Sequence, residues 1–205
     1  MNLPNKITLS RILVVPLFLI FALPIPEAIV GAGILEFMQS QMIAFNQFIA
    51  AYGRYIAAGI FLIASATDAV DGHIARKKKL VTRFGKFLDP IADKLLVTAA
   101  LVALVQNGDV NAWAAMLIIS REFIVTGLRL VAAGDGIVIA ASKLGKLKTV
   151  LQDVAIIAAL LNNFPISLFT DFKLDEYMML AAVIITLYSL FDYMKKNQSV
   201  INTNI

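Results

Sequence analysis

Four aspartates, Asp68, Asp71, Asp89 and Asp93, fall within 26 residues of an otherwise apolar chain. Asp68 and Asp71 are three residues apart, and Asp89 and Asp93 are four apart. On a helix each pair would share a face with its side chains as neighbours. Two such pairs brought together make a nest of four carboxylates, tolerable only if protonated or neutralised by cations. Hard oxygen ligands select Mg²⁺, Mn²⁺ or Ca²⁺. Four carboxylates balance two divalent ions, the arrangement used in two-metal phosphoryl transfer. A single aspartate near a helix end is more often a cap or a solvated charge. The spacing of the whole set is what points to chemistry.

The neighbours of the acids suit a phosphorylated ligand. Gly72 follows Asp71, and its missing side chain lets a ligand approach the backbone closely; Gly85 can do the same at the start of the second segment. Ala75 is small on the helical face of Asp71. Arg76 offers a planar guanidinium that can clamp a phosphate bidentately. The small residues also suit plain helix packing. Pro90, between Asp89 and Asp93, fits a first helical turn or a kink. Lys77, Lys78 and Lys79 read as a solvated turn beside anionic lipid.

Two further polar groups stand out. Asn5, Thr8 and Arg11 recur every three residues, along one face of an entering helix, where they can close over a nucleotide or diphosphate. Their structural alternative is capping by Asn5 and snorkelling by Arg11. Farther on, Arg121-Glu122 and Arg129 interrupt an apolar run, at a depth where ionisable residues are costly. With Lys146 and Lys148 at the start of the next run, Arg121 and Arg129 can form a cationic pocket. The competing reading is that Arg121 and Glu122 serve a structural ion pair with other helices, and Gln152 and Asp153 read as buried hydrogen-bonding partners between helices.

The central pattern is D-x2-D-G-x2-A-R-x8-G-x3-D-x3-D, and it fits without departure the signature of the CDP-alcohol phosphatidyltransferase family, which this chain resembles. The resemblance implies that Asp68, Asp71 and Asp89 hold metal. It also implies that Asp93 contacts metal or takes the proton of an attacking hydroxyl. A cation-rich site keeps an aspartate ionised, and so available as a base at neutral pH. Gly72, Ala75, Arg76 and Gly85, with Asn5 and Thr8, are then expected at CDP-diacylglycerol, and the cofactors are two divalent ions, Mg²⁺ or Mn²⁺. The opening Leu3 to Arg11, Arg121 to Arg129, and Gly145 to Thr149 resemble the phosphatidylglycerophosphate synthases within that family. Likeness therefore extends from residue 1 to about 195 and implies a homodimer.

The elements that must position these residues are membrane helices. The chain has 205 residues, 60% of them hydrophobic, above the roughly half expected of a soluble domain. Apolar runs at about 7–25, 49–70, 87–107, 111–133, 145–164 and 175–194 predict six transmembrane helices in an all-α integral membrane protein. Pro16 and Pro24 interrupt the first run, which reads as a retained helix rather than a signal peptide. Segment 26–48 reads as a short outer-surface helix, and residues 197–205 as a polar tail of one domain spanning 1–205. Basic residues gather on one side: Lys6, Arg11, Arg76 to Lys79, Arg83, Lys86, Lys94, Arg129, Lys143, Lys146, Lys148, Lys195 and Lys196, against Arg54 and Lys173 on the other. That asymmetry predicts a multi-pass protein of the cell membrane, with both termini and the active site at the cytoplasmic interface. The +4 net charge follows this placement and gives no reason to expect nucleic acid as a partner. Without cysteine there is no disulfide framework and no thiol chemistry.

Charge also bears on the substrates that the resemblance implies. Four aspartates and two divalent ions cancel, and those ions with Arg76 suffice for a diphosphate lipid. Arg121, Arg129, Lys146 and Lys148 are then surplus. A phosphorylated acceptor brings about two more negative charges, which favours glycerol 3-phosphate and leaves inositol phosphate open. A sibling using phosphatidylglycerol to make cardiolipin is a further alternative. A divalent-cation transporter is the competing class, but it calls for acids at the midplane reached from both sides, not gathered at one face with an arginine.

Overall fold

The computed structural model describes residues 3–31, 38–78, 83–134, 136–137, 139 and 143–198; within its helices, the side chains of residues 3–8, 68–78, 83–90, 93 and 143 are not described. Among the described residues there are helices and turns but no strand. The helices are α1 (Leu3–Ala22), α2 (Glu27–Val30), α3 (Gln39–Phe48), α4 (Arg54–Lys78), α5 (Arg83–Gln106), α6 (Ala112–Gly134), α7 (Lys143–Leu160) and α8 (Leu174–Lys196). A π-helical stretch, Ile49–Gly53, joins α3 to α4. Six of these helices match the six predicted apolar runs in order. Two stretches, Gln39–Thr67 and Leu174–Lys196, are long and apolar enough to cross a membrane, and Leu9–Ala22 and Lys94–Gln106 are shorter apolar ones.

The boundaries differ from the sequence reading for identifiable reasons. Helix α1 stops at Ala22, short of the expected 25, because Pro24 cannot donate to a continuing ladder. The second run does not begin at 49, since α3 leads through the π-helical stretch into α4. The fifth ends at Leu160 rather than 164: Asn162 and Asn163 take left-handed conformations (φ 49° and 61°), which asparagine tolerates better than most residues. The Asn163 side chain then accepts from the Asp175 backbone N–H at 2.9 Å and donates to the Asp175 carboxylate at 2.8 Å, tying the end of α7 to the start of α8.

The chain forms two compact units, residues 1–107 and 108–205. In the first, α1 packs against both α4 and α5. The buried rings of Phe18 and Phe61 meet at 6.4 Å, with a tilt of 58°, between α1 and α4. Asn107 closes the far end of α5 by donating to the Ala22 carbonyl at 3.2 Å. Asn46 exchanges two hydrogen bonds with the Ile25 backbone, at 2.8 and 3.0 Å, holding α3 to the chain that leaves α1. Gly53 is required where α1 passes the π-helical stretch, because a Cβ there would sit 2.5 Å from the Phe21 carbonyl oxygen.

In the second unit α8 packs against α6 and α7. Its buried positions include Ala182, Val183, Thr186, Ser189 and Tyr193. Leu180, Ile184, Leu187, Tyr188 and Phe191 form an exposed apolar face. Asp175 and Glu176 in its first turn, and Lys195 and Lys196 in its last, complement the helix dipole.

Candidate active site

The first unit carries the aspartate motif. Asp68 and Asp71 stand three apart on the uninterrupted α4, and Asp89 and Asp93 four apart on α5, so both pairs have the helical spacing expected of them. Both helices pack on α1. Their side chains, and those of Gly72, Ala75, Arg76, Gly85, Asn5 and Thr8, lie outside the described residues. Among the described residues no three His, Asp or Glu side chains form a metal-sized cluster. The donor set of the motif itself suits a hard divalent cation: four carboxylates, two on each of two helices that share a neighbour.

Beside the motif lies a groove of about 260 Å³ between α1 and α4, lined by Val14, Leu17, Ile60, Ile63 and Ala64, with Ser10, Arg11 and Thr67 as its polar members. Thr67 directly precedes Asp68 and donates to the Ile63 carbonyl at 2.7 Å. Arg11, from the amino-terminal polar face, thus borders a mainly apolar surface that leads toward the motif.

The second unit holds the other polar cluster, most of it buried between α6, α7 and α8. Arg121, Glu122 and Lys148 are 7%, 6% and 1% exposed, which demands partners. Glu122 supplies them: its Oε1 accepts from Arg121 at 3.1 Å and from the Lys148 ammonium. A second arm of the Arg121 guanidinium donates to Ser189 Oγ at 2.8 Å, on α8. Arg129, half-buried two turns further along α6, lies with its guanidinium carbon 5.6 Å from the centre of the Tyr193 ring. The pairs Arg121–Ser189 and Arg129–Tyr193 follow the same order along both helices, so α6 and α8 run in one direction. Lys146 is exposed. Two residues from Lys148 on α7, it takes a different helix face.

Three of the four predicted cations therefore reach one network of helix contacts, and Lys146 does not. Glu122 pairs with Arg121 beside it and with Lys148 on α7, a tie to another helix of the kind the structural reading expects. The contributions of α8 were missed. Thr186, Ser189 and Tyr193 are spaced i, i+3 and i+7, a polar stripe inside an apolar helix. Its periodicity was the available signal. Several buried polar atoms of this cluster have no hydrogen-bond partner among the described residues: Arg121 Nε, Arg129 Nε, Gln152 Oε1, Thr186 Oγ1 and the Tyr193 hydroxyl.

The sequence profile of the CDP-alcohol phosphatidyltransferases matches residues 1–188. A CDP-diacylglycerol–glycerol-3-phosphate 3-phosphatidyltransferase of Bacillus subtilis is 47% identical over 203 residues, which cover 99% of this chain and 98% of that one. Enzymes of the same name from Rickettsia felis and Haemophilus influenzae are 36% and 33% identical, covering 95% and 100% of this chain and 96% and 97% of theirs. Spanned by the profile from its first residue through most of α8, and matched by these relatives at full length, the chain belongs to the CDP-alcohol phosphatidyltransferase family.

Proposed function

We propose that this protein transfers the phosphatidyl group of CDP-diacylglycerol to glycerol 3-phosphate, giving phosphatidylglycerophosphate and CMP in phospholipid biosynthesis. The observation that carries the reading is 47% identity, over nearly the whole of both chains, to an enzyme named for that reaction. A hydroxyl of glycerol 3-phosphate attacks the phosphorus bonded to diacylglycerol, its proton passes to Asp93, and the bond from that phosphorus to the CMP oxygen breaks. Asp68, Asp71 and Asp89, with Asp93, would hold two divalent ions, Mg²⁺ or Mn²⁺. Those ions would neutralise the diphosphate and stabilise departing CMP. Gly72, Ala75 and Gly85 leave room for the nucleotide lipid, Arg76 clamps its phosphate, and Asn5 and Thr8 close over it. The groove at Arg11 and Thr67 offers an apolar wall to a lipid chain.

Arg129 is the principal ligand of the acceptor phosphate, because its N–H groups have no hydrogen-bond partner among the described residues. Arg121, Lys146 and Lys148 add positive potential. The assay is direct: purified protein with CDP-diacylglycerol, Mg²⁺ or Mn²⁺ and a panel of alcohols, with CMP measured. Release should require glycerol 3-phosphate. Release with inositol phosphate or phosphatidylglycerol instead would assign the chain to another member of the family.

The same reading makes this a six-span protein of the cell membrane, working as a homodimer with its active site at the cytoplasmic face. The exposed apolar face of α8 suits lipid contact. Trp113, in the first turn of α6, and Phe169, which precedes α8, are 79% and 86% exposed at one end of their unit, as in an interfacial aromatic belt. Because the chain has no cysteine, orientation can be read by labelling. Lys78→Cys and Gly136→Cys should react with a membrane-impermeant thiol reagent only after the membrane is opened, and Asn107→Cys in intact cells. Labelling of Lys78→Cys in intact cells would reverse the orientation.

A further inference from the structure

We propose that Tyr193 is a positioning residue for the acceptor: its ring holds the Arg129 guanidinium by one face, leaving the in-plane N–H groups for the oxyanion. This rests on the reading of glycerol 3-phosphate as acceptor. Three observations carry it. The guanidinium carbon of Arg129 lies 5.6 Å from the ring centroid, within the range of a cation–π contact. Tyr193 is buried in α8, so its ring is a fixed surface rather than a mobile one. Arg129 forms no hydrogen bond or ion pair with any described residue, and its Nε is buried without a partner.

The contrast with its neighbours is what singles Arg129 out. Arg121 uses two arms on Glu122 and Ser189, and the Lys148 ammonium is bonded to Glu122. Each of those cations is held by polar groups that take up some of its donors. A cation–π contact consumes none, because the ring face attracts the guanidinium charge without accepting a conventional hydrogen bond from its N–H groups. A guanidinium pinned this way keeps the fork that matches a phosphate bidentately. Less rotameric freedom remains to be lost on binding. The buried Nε gains from an oxyanion the acceptor it otherwise lacks. Ser189 and Tyr193, one turn apart on α8, thus treat the two arginines of α6 differently: one is tied down, the other is presented.

The test varies the ring and not the fold. In the full-length protein, position 193 is made Tyr193→Phe and then the mono-, di- and trifluorinated phenylalanines, which weaken the ring's negative face with little change in shape. The KM for glycerol 3-phosphate should match wild type with phenylalanine and rise stepwise with fluorination, reaching roughly fivefold. The KM for CDP-diacylglycerol and kcat should stay constant across the series. A flat series overturns the proposal. So does a rise already complete at Tyr193→Phe, which would assign the effect to the hydroxyl. Arg129→Ala is measured alongside, with the KM for glycerol 3-phosphate expected to rise roughly 10- to 150-fold on loss of charge-assisted hydrogen bonds. If Arg129→Ala leaves that KM unchanged, the acceptor reading itself fails; if it raises the KM and the fluorinated series is flat, only the role of Tyr193 does.

Discussion

Asp93→Asn should lower phosphatidyl transfer by at least about 10²-fold, the scale of losing a general base or an electrostatic stabiliser. Asparagine keeps the shape of the side chain and removes its charge and its basicity. Asp68→Asn, Asp71→Asn and Asp89→Asn should lose activity on the same scale, because each removes one of four charges that together hold the divalent ions. These losses should come in kcat at saturating substrate, with the protein still folded. Helices α4 and α5 carry these residues three and four apart, and none of the four substitutions introduces a helix breaker. Chelators should abolish activity in the wild-type protein, and added Mg²⁺ or Mn²⁺ should restore it. Full release of CMP by Asp93→Asn would remove the base from the mechanism, and full release by wild type in excess chelator would remove the ions.

Much of the helical frame was legible because its signals are local. Apolar runs bounded by charges or proline located six long helices, and the aspartate motif fell on α4 and α5 with the anticipated spacing. Helix ends were less legible where a single residue decides them. Asn162 and Asn163 end α7 in left-handed conformations, and the Asn163 side chain bonds Asp175, 12 residues away, which a hydropathy window cannot register. The π-helical join of α3 to α4 likewise depends on the close passage of Phe21 over Gly53, a contact between segments distant in sequence.

The cationic cluster was half legible. Charges inside an apolar run announced Arg121, Glu122 and Arg129, since nothing else excuses their burial. Their division of labour was not visible, because it is set by α8, some 60 residues away. Ser189 and Tyr193 are unremarkable in sequence and become informative only when α8 is laid against α6. Spacing alone grouped Arg121 with Arg129. Their partners separate them.

The second large effect is expected from Glu122→Gln. The Glu122 carboxylate accepts from Arg121 and Lys148 in a setting where all three residues are less than a tenth exposed. Removing its charge takes from two buried cations the carboxylate that both of them contact. Breaking a buried ion pair from one side costs about 3–5 kcal/mol, more than the pair gained when it formed, because the remaining charge stays desolvated. For a chain of this size that corresponds to a fall of roughly 6–20 °C in Tm, followed in detergent by loss of the monodisperse folded species on heating. Glu122→Gln combined with Lys148→Met should recover much of the loss, since one stranded charge is replaced by an apolar side chain of similar length. That recovery separates a structural ion cluster from a substrate contact. A Glu122→Gln protein as stable as wild type but inactive would mean that the carboxylate acts on substrate, and Lys148 would then rank with Arg129 as a ligand of the acceptor. Recovery of stability in the double variant, with the Arg129-dependent KM intact, would instead show that Glu122, Arg121 and Lys148 form the scaffold from which Arg129 is presented.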